Sequence, residues 1–270
     1  MAQWSLDDVP WQDFDPAKVD AELLRIAKAA AMVEYNAPDY VRYLGRVFRD
    51  DAETLATIEQ WGVEEIQHGA ALGRWAQMAD PSFDFEAAFR KFTSGYKLQL
   101  DVEQSIRGTR TGEMIARCMV ETGTSSFYAA LADSAEEPVL RFICRKISSD
   151  ELRHFKLFYS GARRYQAREN LGFWRRLSVA AGRIFETEDD ELAYAYYAAN
   201  GNGQPYERKR WNRSYVRRAY AVYRRHHIDR AISMIMKAVG IAPHGKISSL
   251  FSLITWAGIR YRLYRIGEAA

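Results

Sequence analysis

The sequence predicts an all-α protein: a four-helix bundle with additional helices at its C-terminal end. Three observations carry this. Apolar residues recur at helical spacing over long windows. No row of alternating β-branched residues occurs anywhere in the chain. Only 7 Pro and 17 Gly are spread over 270 residues, which leaves room for long uninterrupted helices joined by short connections.

The elements follow in order. Asp15-Pro16 reads as a helix start, with Pro in the first turn. Leu23, Leu24, Ile26, Ala27, Ala30, Met32 and Val33 then repeat at helical spacing. Pro38 kinks or breaks this helix just after Glu34. A second helix is predicted from Asp50 or Asp51 through Leu55, Ile58, Trp61 and Ile66 to about Met78, ended by Asp80-Pro81-Ser82. A third covers Phe85 to about Arg107, with Gly108 and Gly112 around a turn. Glu113 to about Asp133 and Glu137 to about Arg168 read as two more long helices.

Beyond residue 170 the character changes. Trp174 to Phe185 reads as a short amphipathic helix. Asn200-Gly201-Asn202-Gly203 is a loop signal. Tyr206 to Val239 and Lys246 to Ile266 read as helices, both basic. Residues 15–170 are therefore expected to form the bundle, and residues 171–270 a basic helical appendage packed on it. Residues 205–270 hold 14 Lys/Arg against 3 Asp/Glu, whereas the rest of the chain holds 24 against 32. An acidic body thus carries a strongly basic C-terminal region.

The two cysteines, Cys118 and Cys144, form no C-x-x-C pair. This excludes a rubredoxin-type iron site, a zinc ribbon and a disulfide framework within the chain, and two buried thiols are expected. The N-terminal stretch MAQWSLDDVPWQDFDP has no basic start and no apolar run, so no signal peptide is expected. Ile247 to Ile259 is apolar but short and interrupted by Ser, too short to span a bilayer. A cytoplasmic location is expected, and contact of this segment with a membrane surface is left open.

Two short motifs carry the chemistry. Glu65-Ile66-Gln67-His68 and Glu151-Leu152-Arg153-His154 each place a carboxylate and an imidazole three residues apart, on one side of a helix. Each follows another glutamate at a matching interval: Glu34 lies 31 residues before Glu65, and Glu121 lies 30 before Glu151. Both partner glutamates sit in apolar surroundings, AAAMVEY and ARCMVET, where an uncompensated carboxylate is costly. A metal removes that cost. One Glu from each of two helices, with a Glu-x-x-His from each of two others, is the ligand pattern of ferritin-like dinuclear carboxylate bundles. Glu34, Glu65, His68, Glu121, Glu151 and His154 are thus the expected ligands of two iron ions. Carboxylate and imidazole ligands suit manganese as well.

Neighbouring residues bear on the mechanism. Thr124, three positions after Glu121, either turns its hydroxyl to the metals or bonds back to its own helix. Asp150 is a candidate to accept a hydrogen bond from a ligand histidine. Trp4, Trp11 and Trp61 are read as packing residues rather than electron relays. His226, His227 and His244 lie outside the repeat and are not expected to ligate metal.

At these residues the chain resembles a known family. Trp61-Gly62-Val63-Glu64-Glu65-Ile66-Gln67-His68-Gly69 is similar to a ligand helix of the soluble acyl-carrier-protein desaturases. Ser149-Asp150-Glu151-Leu152-Arg153-His154 resembles the same family's Asp-Glu-x-Arg-His. Glu34 with Pro38 and Tyr40, and Glu121 with Thr124, match its other two ligand segments. The likeness covers roughly residues 20–165. Ile66 and Gln67 replace a polar and basic pair, and the basic C-terminal part does not align. The resemblance implies oxygen-dependent desaturation of a fatty acyl chain on acyl carrier protein, a ferredoxin-type electron donor and a homodimer.

The basic region fits that reading, because acyl carrier protein is acidic. Arg208, Lys209, Arg210, Arg213, Arg217 and Arg218 are candidates for its docking patch. Packing of this helix against the protein's own acidic body is the competing reading. Nucleic acid is not expected as a partner. Two other functions stay open: another diiron oxygenase (hydroxylase or N-oxygenase), and a ferritin- or rubrerythrin-like protein that handles iron or scavenges peroxide.

Overall fold

The computed structural model describes residues 4–186 and 190–268. Among the described residues eleven α-helices follow one another: α1 (Ala21–Tyr35), α2 (Ala37–Val47), α3 (Ala52–Ala79), α4 (Phe85–Gly95), α5 (Arg110–Ser134), α6 (Pro138–Glu169), α7 (Phe173–Glu186), α8 (Asp190–Asn200), α9 (Arg208–Ala221), α10 (Arg225–Val239) and α11 (Lys246–Glu268). There is no strand among the described residues, so the all-α bundle expected from the sequence is what forms. None of the described helices is long and apolar enough to cross a membrane. The chain divides into two compact units that interleave along it. One comprises Met1–Asp101, Leu131–Lys146 and Glu188–Ala219; the other comprises Val102–Ala130, Ile147–Thr187 and Tyr220–Ala270.

In the first unit α1 packs on α3 and α8, α2 on α3, and α4 on α8. The start of α1 lies further on than Asp15-Pro16 suggests. Asp15 caps only a single 3-10 turn, Pro16–Lys18. Asp20 then accepts from the backbone N–H groups of Glu22 and Leu23 at 2.7 and 2.9 Å, which satisfies two orphan donors and fixes the helix there. The break predicted by Pro38 does occur, between Tyr35 and Ala37. Asp51 and Asp84 cap α3 and α4 in the same manner.

Helix α4 is shorter than expected, ending at Gly95 rather than near Arg107. Leu98, Leu100 and Val102 alternate with Lys97, Gln99, Asp101 and Glu103, a period of two that no helix can bury on one side. Gly95 itself meets the Tyr194 ring of α8, where a Cβ would stand 2.0 Å from ring carbon Cζ. Helix α8 was not anticipated. Its Ala/Tyr-rich stretch gives little contrast between faces, yet Ala193, Ala195 and Tyr196 are buried. Glu137, buried at the start of α6, accepts from Trp75 Nε1 and Leu140 N, both at 2.7 Å.

In the second unit α10 packs on α7 and α11. Glu169 accepts from the backbone N–H groups of Arg110 and Thr111, capping α5 from the end of α6. Ser125 and Ser148 exchange hydrogen bonds with each other's backbone carbonyls, tying α5 to α6. Arg107 closes on Glu186 with Nη1 2.6 Å from Oε1. The single basic helix expected over Tyr206–Val239 is two, α9 and α10. Arg224 is extended there, and its N–H donates to His227 Nδ1 at 3.0 Å, starting a new helix. Gly240, at φ +89°, ends α10 in the left-handed conformation that favours glycine.

Candidate metal centre

Each unit contains one half of the ligand repeat. In the first unit Glu34 stands in the last turn of α1, while Glu65 and His68 stand one turn apart on α3. Glu34 and Glu65 are each 6% exposed and His68 is completely buried. One ligand atom from each of these three side chains lies within 4.8 Å of the others. His68 Nδ1 is 3.9 Å from Glu65 Oε2.

Two features hold this triad. Gly69, next to His68, lets α3 reach the backbone of Tyr35, next to Glu34. The N-terminal segment covers the other side. The Trp4 ring stacks on the His68 imidazole, with centroids 6.1 Å apart and planes 8° from parallel. Gln67 Nε2 donates to the Trp4 carbonyl at 3.0 Å and pins that segment. Trp4 and Trp61 are both buried, in keeping with packing roles.

In the second unit Glu121 comes from α5, and Glu151 and His154 come from α6. All three are 1% exposed. Their ligand atoms also fall within 4.8 Å of one another. His154 Nδ1 stands 3.7 Å from both Glu121 Oε2 and Glu151 Oε2.

These separations suit donors around an ion. Two atoms bound at about 2.1 Å, at angles between octahedral and tetrahedral, stand roughly 3–3.5 Å apart. The observed 3.7–3.9 Å needs only a small inward movement of each side chain. Two carboxylates buried beside one imidazole carry more negative charge than the imidazole can offset, and a divalent cation corrects this. Carboxylate oxygen and imidazole nitrogen are the donors that iron and manganese accept. The residues therefore fit a metal.

Thr124 bonds back to its own helix and also reaches a carboxylate of the second triad. Its Oγ1 lies 3.2 Å from the Val120 carbonyl, and it donates to Glu151 Oε2 at the shorter distance of 2.8 Å. Asp150 is buried, and its Oδ1 accepts from Arg153 Nη1 at 2.6 Å. This places a cation against it that the sequence reading did not use, although Arg153 stands in the same motif. Cys118 and Cys144 are buried. Burial pushes both thiols well above their ordinary range, and the Glu121 charge adds to the effect at Cys118. Neither thiol is a nucleophile at neutral pH.

The basic candidates on α9 divide. Arg218 Nε and Arg217 Nη2 lie 2.8 and 3.6 Å from Glu22 Oε2 of α1, so these two face the protein's own acidic surface. Arg210 donates to Gln204. Arg208, Lys209 and Arg213 are exposed. His227 Nδ1 accepts from the Arg224 N–H. His244 stands in the turn between α10 and α11.

No protein-family model matches this chain, and no curated protein matches it in sequence. The functional reading therefore rests on the two triads.

Proposed function

We propose that Glu34, Glu65, His68, Glu121, Glu151 and His154 hold a pair of iron ions, and that the protein is an oxygen-dependent oxidase of fatty acyl chains. The observation that supports this most is the buried carboxylate–carboxylate–imidazole triad repeated in each unit, with one Glu from one helix and a Glu-x-x-His from the next. Three protein donors per metal leave positions open for oxygen, and carboxylates have a second oxygen with which to bridge. The reaction favoured is desaturation of an acyl chain on acyl carrier protein, as the desaturase-like motifs imply. Two hydrogens leave adjacent carbons, and dioxygen, two electrons and two protons account for two waters. A ferredoxin-type donor would supply the electrons, and a homodimer is the assembly expected.

When bound, the irons supply the redox chemistry that turns dioxygen into an oxidant of C–H bonds. The chain's own groups do the rest. The two histidines and four glutamates orient and charge-balance the centre. The Thr124 hydroxyl, which donates to Glu151 Oε2, would hold and pass a proton.

The test is an iron-loaded, reduced protein given oxygen with a panel of acyl carrier protein thioesters, with the acyl chains read by mass spectrometry. A product two mass units lighter is expected. A gain of sixteen units would instead make it a hydroxylase. Rapid oxygen or peroxide consumption without acyl product would favour the ferritin- or rubrerythrin-like reading and overturn this one.

A further inference from the structure

Helix α11 wears its polarity inverted. Ser248 and Ser252 face inward at 5% and 3% exposure, and Ser252 Oγ donates to Asp229 of α10. Ile247, Leu250, Phe251, Leu253 and Ile254 face outward, each between 47% and 58% exposed. Only further along does the inner stripe turn apolar, where Trp256 and Ile259 pack against Ile228, Ile232 and Met236 of α10. Among the described residues, seven of the twelve exposed large hydrophobic side chains lie on this one helix. A contiguous apolar face of this kind marks an interaction surface.

Charge indicates what covers it. Lys246 opens the helix, and Arg260, Arg262 and Arg265 follow the apolar stretch, within a region of 14 Lys/Arg and 3 Asp/Glu. Tyr261 and Tyr264, 64% and 62% exposed, stand at the same basic end. The same face on a second copy would bring these cations together, which Coulomb repulsion opposes. An anionic bilayer surface takes all three features. Its acyl region receives the aliphatic side chains, its interface the tyrosine rings, and its phosphates the long basic side chains. The apolar stretch does not span a bilayer, so the helix lies in the plane of the surface. We propose that α11 docks this protein on anionic lipid membranes.

This inference does not rest on the oxidase reading and is tested without it. The full chain is floated with vesicles of phosphatidylcholine plus phosphatidylglycerol, and with phosphatidylcholine alone. Binding to the anionic vesicles, weakened by added salt, is expected. The double variant Phe251→Ser/Ile254→Ser changes only exposed positions. It is expected to keep its circular dichroism while losing vesicle affinity by on the order of tenfold or more. Arg260→Gln/Arg265→Gln is expected to reduce the preference for anionic lipid. The proposal is overturned if the wild type ignores both vesicles, or if the serine variant binds as well as the wild type. It is equally overturned if the serine variant converts a dimer to a monomer with no vesicle binding in either form, which would make the face a contact between copies.

Discussion

Gly69 of α3 and Tyr35 of α1 meet backbone to backbone: a Cβ on Gly69 would stand 2.5 Å from Tyr35 N and 2.8 Å from Tyr35 Cα. No side chain fits there without parting the helices. Each residue adjoins a proposed ligand, His68 before Gly69 and Glu34 before Tyr35, so the contact sets how near those two side chains on different helices come.

Gly69→Ala is therefore expected to destabilise the protein, although alanine is the better helix former. The overpacking cost of about 1–3 kcal/mol exceeds the roughly 1 kcal/mol gained in helix propensity. Iron affinity is expected to fall with it. Gly123→Ala is the control. Gly123 is in the interior of α5, exposed, with nothing within 4 Å of its ideal Cβ. That substitution is expected to stabilise by about 0.5–1 kcal/mol. Urea unfolding of the three proteins, with iron titration, decides the matter; equal behaviour of the two variants would refute the close-approach argument.

Glu151→Ala and Glu121→Ala are each expected to abolish stable iron loading, because each leaves its triad one carboxylate short. Metal analysis after reconstitution gives the answer, with circular dichroism to check the fold. A variant retaining two irons per chain would remove that glutamate from the ligand set. Both residues are 1% exposed, so the cavity left by truncation also costs some stability. The isosteric Glu→Gln variants separate the two effects, since they keep the volume and lose the charge.

Thr124 offers a test of proton handling distinct from metal holding. Thr124→Val keeps the shape and deletes the hydroxyl that donates to Glu151 Oε2 at 2.8 Å. Iron content is expected to be retained while oxygen-dependent turnover falls by about tenfold to a hundredfold. Thr124→Ser restores the donor and is expected to recover most of the rate. Equal rates for the valine variant and the wild type would leave Thr124 as a packing residue.

How much of this was legible beforehand depends on how local each signal is. The triads were, because a Glu-x-x-His spacing places two donors on one side of a helix whatever the tertiary structure. The break before Pro38 was legible for the same reason, as the ring acts on its own helix. Helix α8 was not, since Ala and Tyr on all its faces show no stripe and its burial is decided by α1 and α4. The end of α4 lies where Leu98, Leu100 and Val102 take up a period of two, a short local signal that the next strong turn residue, Gly108, outweighs. The role of Gly69 needed the neighbouring helix. A glycine inside a long helix, at a cost of about 1 kcal/mol, was nonetheless a hint that a backbone passes close by. The division of the basic arginines likewise needed Glu22, nearly two hundred residues away in sequence from Arg218.

Lys28 is a buried cation on α1, 7% exposed, and its Nζ lies 2.6 Å from Asp80 Oδ2 at the end of α3. The hydrogen bond from Lys28, aided by Ser82, holds the Asp80 carboxyl below its ordinary value of 3.8, against an opposing but smaller effect of burial. A carboxyl whose folded pKa is depressed binds protons more readily unfolded than folded. Its contribution is thus fully present above about pH 4 and is lost as pH falls through the lower, folded value. Asp80→Asn is expected to cost on the order of 1–2 kcal/mol near neutrality, the figure reduced because Asp80 is partly in contact with water. The gap between wild type and variant is expected to close as unfolding is measured at successively lower pH below 4. A difference constant across that range would mean that the pair contributes through packing rather than charge.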